Sequence, residues 1–274
     1  MKIAFLTLGC KLNYAETSTY EREFRKAGLE VATPSGEADI YLINTCSVTA
    51  TSDSKSRNLI RKMHRRSPQT RIVVCGCSAE LRKEEISKIE GVWKVFGSKE
   101  KSRIVPDVLE GIGLKESTPA EPEETFGAYS SGERTRSFLK VQDGCDNHCR
   151  YCTVPLARGD SRNIPICECV RMAEEIAALG VKEVVITGVN TGDFGRSTGE
   201  SFLDLLKALD RVEGIERYRI SSIEPNLLSD EIIDWIASGS KIQPHFHIPL
   251  QVGCDEILEA MGRHYTTDFF KHKI

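Results

Sequence analysis

The chain has 274 residues, 40% of them hydrophobic and 28% charged, and 37 Lys+Arg against 40 Asp+Glu leave a formal net charge of −3. That length makes two ordinary domains or one large one, and the composition excludes a fibrous or wholly disordered chain. The balanced charge gives no bulk basicity to announce a nucleic-acid partner, and no apolar run approaches the roughly 18 residues of a membrane-spanning helix.

The opening stretch, Met1 to Cys10, mimics a lipoprotein signal, but its apolar part is short and polar residues follow Cys10 at once. It reads as a strand, so no membrane association and a cytoplasmic location are expected. Strand Ile3–Leu8 leads into a helix over Glu16–Ala27, strand Ile40–Ile43 into a helix over Ser54–Arg66, and strand Ile72–Val74 into a helix over Ala79–Ile89. Val92–Phe96 and Ser102–Glu110 close the series. Strands alternating with helices imply a parallel, doubly wound sheet, and so an N-terminal domain over 1–112. Residues 113–135 carry Pro119, Pro122, Glu116, Glu121, Glu123 and Glu124 with several Gly and Ser, which is the composition of a linker. A second alternation fills 136–274: strands Phe138–Gln142, Glu183–Thr187, Tyr218–Ser222 and Phe246–Leu250, with helices Ile166–Ala178, Phe202–Val212, Asp230–Ala237 and Glu256–Met261. Four parallel β/α units leave a curved sheet with an open edge, so the chain is expected to be cut short at its C-terminus.

Ten cysteines without an export signal stay reduced in the cytosol. Reduced thiols in such number bind metal, work in redox chemistry or fill a core, and spacing separates these. Cys145, Cys149 and Cys152 lie within the eight residues Cys145-Asp146-Asn147-His148-Cys149-Arg150-Tyr151-Cys152. Three thiolates so spaced can hold three corners of a [4Fe–4S] cluster and leave one iron open for a small molecule. Zinc favours paired knuckles or added His ligands, and the packing habit of cysteine does not explain such clustering; both readings remain weaker alternatives. Cys10, Cys46 and Cys77 each stand just past the carboxyl end of a predicted strand, the edge at which open α/β sheets place ligands.

CxxxCxxC with an aromatic before the last cysteine resembles the radical S-adenosyl-L-methionine (SAM) enzymes. The run Gly144-Cys145-Asp146-Asn147 through Tyr151-Cys152-Thr153-Val154-Pro155 and Arg158-Gly159 is similar to the methylthiotransferases among them. So are Asn44-Thr45-Cys46-Ser47-Val48, Gly76-Cys77, Thr187-Gly188-Val189-Asn190, Ser221-Ser222-Ile223-Glu224-Pro225 and His247-Ile248-Pro249-Leu250-Gln251. Leu8-Gly9-Cys10-Lys11-Leu12-Asn13 resembles the branch acting on N6-threonylcarbamoyladenosine in tRNA.

The resemblance implies a doubly wound α/β domain followed by a partial (β/α) radical SAM barrel, and two [4Fe–4S] clusters. Cys145, Cys149 and Cys152 would carry the catalytic cluster that cleaves SAM; Cys10, Cys46 and Cys77 would hold the second. Tyr151, Asn190, Ser222, Glu224 and Gln251 fit SAM-contacting roles at the carboxyl end of the second sheet. Cys75, Cys167, Cys169 and Cys254 are left over and read as small, partly buried thiols. The implied reaction inserts sulfur and a methyl group at C2 of a modified adenosine beside the anticodon. Its implied partners are the tRNA anticodon loop, a sulfur donor and an electron donor such as flavodoxin or ferredoxin. Methylthiolation of N6-isopentenyladenosine is the neighbouring alternative, and a non-catalytic iron–sulfur carrier or sensor the distant one. Lys55, Arg57, Arg61, Lys62, Arg65 and Arg66 share one predicted helix, either as a solvated face or as a contact for tRNA phosphates.

Overall fold

The computed structural model describes residues 1–47, 49–114, 126–131 and 135–274. Val48 and the residues Glu116, Pro119, Glu121, Pro122, Glu123 and Glu124 of the expected linker lie outside them. The chain divides into two compact units, Met1–Phe126 with Leu156–Gly159, and Gly127–Pro155 with Asp160–Ile274. Phe126 stacks on Tyr20 in the first unit, ring centroids 5.2 Å apart.

In the first unit the elements run β1 (Lys2–Thr7), α1 (Lys11–Lys26), β2 (Glu30–Ala32), β3 (Ile40–Thr45), α2 (Ala50–Arg66), β4 (Arg71–Gly76), α3 (Cys77–Leu81), α4 (Lys83–Ser87), β5 (Val92–Val95) and α5 (Ile104–Gly111). The five strands form one parallel sheet in the order β2-β1-β3-β4-β5. β3 is buried along its whole length, as a central strand covered on both faces must be. Alternate residues feed two cores: Ile3, Phe5, Leu42 and Val73 meet Tyr20, Phe24, Val105 and Val108, whereas Ala4, Tyr41, Ile43 and Val74 meet Ile60, Met63 and Ile86. Helices on both faces make the sheet doubly wound. The chain steps out from β1 to β2 and then back past β1 to β3, so the strand order reverses between β1 and β3, where such folds open a ligand crevice.

α1 begins five residues earlier than the apolar pattern predicts, with Cys10 at its N-cap. Its first turns bury Asn13, Glu16 and Thr17 beside Leu12, and these polar residues on the inward stripe mask the helical period. α2 also starts early, because the Thr49 hydroxyl accepts a hydrogen bond from Ser52 N at 3.1 Å and caps it.

The second unit contains β6 (Ala128–Tyr129), β7 (Ser137–Lys140), β8 (Gln142–Asp143), α6 (Val154–Arg158, most of which belongs to the first unit), β9 (Arg162–Asn163), α7 (Ile166–Ala178), β10 (Glu183–Thr187), α8 (Phe202–Asp210), β11 (Arg217–Ile220), α9 (Asp230–Ala237), α10 (Asp255–Met261) and α11 (Thr267–Lys273). β7, β10 and β11 are parallel, in the order β11-β10-β7-β6, and β6 joins antiparallel from within the stretch expected to be linker. α7, α8 and α9 supply Met172, Ile176, Leu205, Leu206 and Ile232 to the core over this sheet. The expected strand Phe246–Leu250 is reduced to one parallel bridge, Ser222 with His247, with another, Tyr218 with Ile242, just ahead of it. Pro244 precedes it and Pro249 lies within it, and each removes a ladder donor. No helix among the described residues is long and apolar enough to cross a membrane.

Candidate metal centres

In the first unit the register pairs Thr7 with Asn44, Asn44 with Cys75 and Thr45 with Gly76. The carboxyl ends of β1, β3 and β4 are therefore level; Cys46 and Cys77 follow β3 and β4 directly, and Cys10 comes three residues after β1. Cys46 and Cys77 are buried and Cys10 is exposed. The loops carrying Cys10 and Cys46 touch: a Cβ on Gly9 would stand 2.8 Å from Cys46 Cβ and 3.0 Å from its Sγ. Gly9 and Gly76 have φ of 111° and 94°, and a Cβ on Gly76 would lie 2.4 Å from the Thr45 carbonyl oxygen. Only glycine fits either turn. Burial pushes the Cys77 thiol up, against the pull of Arg158 and Lys101.

Polar side chains that the sequence reading passed over hold this end of the sheet together. Asn13 Nδ2 donates to the Leu8 carbonyl at 2.8 Å and to the Thr45 carbonyl at 3.0 Å, strapping the Cys10 loop to the Cys46 loop. Its Oδ1 accepts from Arg158 Nη2 at 2.6 Å and faces Cys10 Sγ at 3.7 Å. Glu16 Oε1 receives Lys101 Nζ at 2.8 Å and Arg158 Nη1 at 3.3 Å, with all three side chains at most 5% exposed. Thr45 donates to the Cys75 carbonyl at 2.6 Å and accepts from Ala79 N at 3.2 Å, which fixes the start of α3. The available signal was the polar residues on α1's inward stripe, because buried polar groups are there to be bonded.

In the second unit Cys145, Cys149 and Cys152 sit on the loop after β8, the first two buried and the third half-buried. Burial pushes Cys145 up to about 11, with an Asn147 N–H pulling back and the other two thiols adding to the rise. Burial also raises Cys149, against the pull of Arg263. Gln142, fully buried, organises the loop: its Nε2 donates to the Gly144 carbonyl at 2.8 Å and to Ser161 Oγ at 3.0 Å, and its Oε1 accepts from Val189 N at 2.9 Å and Asn190 N at 3.0 Å. Asp146 accepts from Ser161 N at 2.7 Å and closes the loop's other side.

The expected SAM contacts are placed as follows. Asn190 is buried, its Nδ2 on Asp193 at 3.0 Å and its Oδ1 accepting from Glu224 N at 3.2 Å. Glu224 pairs with Arg263 at 2.6 Å, and Arg263 also donates to the Tyr151 hydroxyl and lies 5.6 Å from that ring's centroid. Tyr151 is itself exposed. Ser222 Oγ is 3.3 Å from His247 Nδ1. Gln251, exposed, has φ 68° at the centre of a three-residue turn closed by Val252 N to the Leu250 carbonyl at 2.9 Å. A non-glycine residue held there is strained, as at many binding sites. Arg263 had no signal in the sequence, since it is 39 residues from Glu224 and belongs to none of the quoted motifs.

Among the described residues no three His, Cys, Asp or Glu side chains are closed to the geometry of a bound metal ion. The donor chemistry nevertheless suits an iron–sulfur group. Cys152 and Cys149 raise Cys145, and Cys152 raises Cys149, so three thiolates together require positive charge between them, which iron supplies. The remaining cysteines are otherwise engaged. Cys75 and Cys169 are core residues, Cys169 Sγ facing the Ile164 carbonyl at 3.6 Å; Cys254 lies 2.8 Å from Glu256; Cys167 is exposed.

Residues 2–97 match the uncharacterized protein family UPF0004, and residues 139–274 match the Radical SAM superfamily. The chain is 38% identical to the threonylcarbamoyladenosine tRNA methylthiotransferase MtaB of Bacillus subtilis, over 99% of this chain and 62% of the relative. The protein of that name from Aquifex aeolicus is 36% identical, over 100% of this chain and 68% of the relative. A tRNA-2-methylthio-N(6)-dimethylallyladenosine synthase of Dictyoglomus thermophilum is 33% identical, over 98% and 64%. The chain thus spans about three fifths to two thirds of the length of these relatives. The radical SAM methyltransferase TsrM of Kitasatospora setae shares the fold, with a TM-score of 0.65 at 14% identity over 99% of this chain and 64% of that one. The superfamily's cofactors are a [4Fe–4S] cluster and SAM. The chain belongs to the radical SAM methylthiotransferase family, in the branch of the threonylcarbamoyladenosine tRNA methylthiotransferase MtaB.

Proposed function

We propose that this protein is a radical SAM methylthiotransferase that places a methylthio group on C2 of N6-threonylcarbamoyladenosine beside the anticodon of tRNA. The observation that carries this reading is the pair of cysteine trios, one on a loop and one across three strand ends, in a chain that is over a third identical to MtaB along its whole length. Cys145, Cys149 and Cys152 would hold a [4Fe–4S] cluster for the cleavage of SAM, and Cys10, Cys46 and Cys77 would hold a second one that would supply the sulfur chemistry.

C2 of the base bears a C–H bond that side-chain acids and bases do not break. A [4Fe–4S] cluster with SAM bound supplies a carbon-centred radical that can. The chain's own residues position and shield. Gln142 and Asp146 hold the cysteine loop in one shape. Arg263 presents positive charge beside Cys149, held in place by Glu224 and Tyr151. Asn190, Ser222, Glu224 and Gln251 bound the SAM site, with Tyr151 at its edge. The base must be splayed from its loop to reach such a site.

Lys55, Arg61, Lys62 and Arg65 are exposed on α2 and form no ion pair among the described residues, whereas Arg57 pairs with Asp53 and Arg66 donates to the Ser35 carbonyl. They serve as phosphate contacts for the tRNA. A cytoplasmic location, an electron donor of the flavodoxin or ferredoxin kind and a sulfur donor complete the reading.

The test is anaerobic reconstitution with iron and sulfide, then SAM, a reductant and tRNA carrying N6-threonylcarbamoyladenosine. Expected are 5′-deoxyadenosine and a 2-methylthio nucleoside by mass spectrometry. Bound clusters with no 5′-deoxyadenosine would mean an electron carrier, and product only on tRNA carrying N6-isopentenyladenosine would move the substrate to the neighbouring branch. Changing Arg61, Lys62 and Arg65 to Glu should weaken tRNA binding and flatten its salt dependence; unchanged binding leaves α2 a solvated face.

A further inference from the structure

The buried charges behind the first trio bear on the group that the trio holds. Lys101, Glu16, Arg158 and Asn13 form one chain of contacts, at 2.8 Å, 3.3 Å and 2.6 Å in turn, and the last of them faces the Cys10 thiol at 3.7 Å. Glu16 brings one negative charge, and Arg158 and Lys101 one positive charge each, so these three groups sum to +1 in a site they share almost without water. Both cations act on Cys77. A charge removed from water is tolerated where an opposite charge stands beside it. A [4Fe–4S] core of charge +2 with three thiolates carries −1, and −2 after one-electron reduction, a state that nearby positive charge favours.

We propose that Arg158, anchored by Glu16 and Asn13, is a positioning residue for the Cys10, Cys46 and Cys77 cluster, and that with Lys101 it sets that cluster's reduction potential through its charge. Arg suits the place because a planar fork can reach Glu16 with one nitrogen and Asn13 with the other. In the step at issue one electron enters from an external titrant such as dithionite, and no bond is made or broken. This proposal rests on the second cluster assigned above.

The experiment uses the full chain with Cys145, Cys149 and Cys152 changed to Ala, which isolates the first trio. After anaerobic reconstitution it should hold about four irons, and an EPR-monitored potentiometric titration reads its potential. Arg158→Gln should make reduction about tenfold less favourable, a fall of about 59 mV for one electron. Glu16→Gln should move the potential up by a similar amount, and Arg158→Lys should hold it near the parent. Opposite shifts from the two neutralisations separate charge from mere loosening, which moves both the same way. If Arg158→Gln does not fold, Lys101→Gln against Glu16→Gln makes the same opposite-sign test. Retained iron with no shift, or with both shifts of one sign, overturns the proposal. A parent variant that holds no iron overturns the cluster assignment itself, and this proposal with it.

Discussion

The two cysteine trios are brought together by different routes. Cys145, Cys149 and Cys152 are neighbours along the chain, on a loop with no regular structure, and close spacing brings them together. Cys10, Cys46 and Cys77 are assembled by topology, since β1, β3 and β4 are adjacent, parallel and level at their carboxyl ends. A local motif survives much disturbance of the fold around it. A topological one is only as sound as the sheet and turns that present it. The supporting residues follow that division: Gln142 and Asp146 bond to loop backbone within the second unit, whereas Asn13, Thr45 and Gly76 join one strand end to the next in the first.

The comparison breaks most directly through the thiols. Of about eight irons expected for two cubane clusters, Ala at Cys145, Cys149 and Cys152 should remove half, together with all SAM cleavage. Ala at Cys10, Cys46 and Cys77 should remove the other half and spare uncoupled SAM cleavage. Iron and sulfide analysis with 5′-deoxyadenosine assay reads both, and full iron in the second variant sinks the topological trio. Next comes Gly76→Ala, which forces a side chain into a left-handed backbone at a cost of about 1–3 kcal/mol and brings a Cβ to 2.4 Å from the Thr45 carbonyl. A lowered melting temperature with selective loss of the first trio's iron is expected; equal loss from both would deny that the two sites are independently built.

Gln142→Leu should act in mirror image. It removes the acceptor of the Val189 and Asn190 N–H groups, and a buried donor left unpaired costs about 1–3 kcal/mol. Thermal melts should fall and iron on the cysteine loop should drop, with the first trio's iron unchanged. The smallest effect lies at the start of β10. Burial alone would raise the Glu183 carboxyl, but hydrogen bonds and charge from Arg219 and Arg217 outweigh it and hold it below its ordinary value. Its contribution, under about 1 kcal/mol for so exposed a set of partners, is present above the unfolded-state value and lost as pH falls through the lower folded one. Glu183→Gln should therefore cost stability at neutral pH but little in strong acid, by denaturation across that range, while both clusters load normally.

The alternation of strands and helices was legible because it depends on apolar periodicity, and β10, α7 and α9 run between the residues that the pattern marks. The cysteines were legible because spacing and strand ends are properties of the chain itself. What escaped was the polar scaffolding. Asn13, Glu16 and Thr17 occupy α1's buried face and hid its first turns, and Arg158 stands 142 residues from the Glu16 it bonds. Arg263, Glu224 and Tyr151 likewise meet only after folding. Such contacts are set by tertiary proximity, for which hydropathy carries no signal. The strand expected at Phe246–Leu250 failed for a local reason, the prolines before and within it, which outweigh its apolar run.

The placement of Leu156–Gly159 in the first unit has a practical consequence for dividing the molecule. The polypeptide leaves that unit after Phe126, returns for four residues and leaves again. A fragment cut at the first crossing would contain all three of Cys10, Cys46 and Cys77 and still be deprived of Arg158. Asn13 would lose a donor, and Glu16 would keep Lys101 but not its second cation. The smallest fragment that preserves the first centre's surroundings is therefore set by the second unit's sequence, and a family boundary ending at residue 97 marks similarity rather than a severable piece.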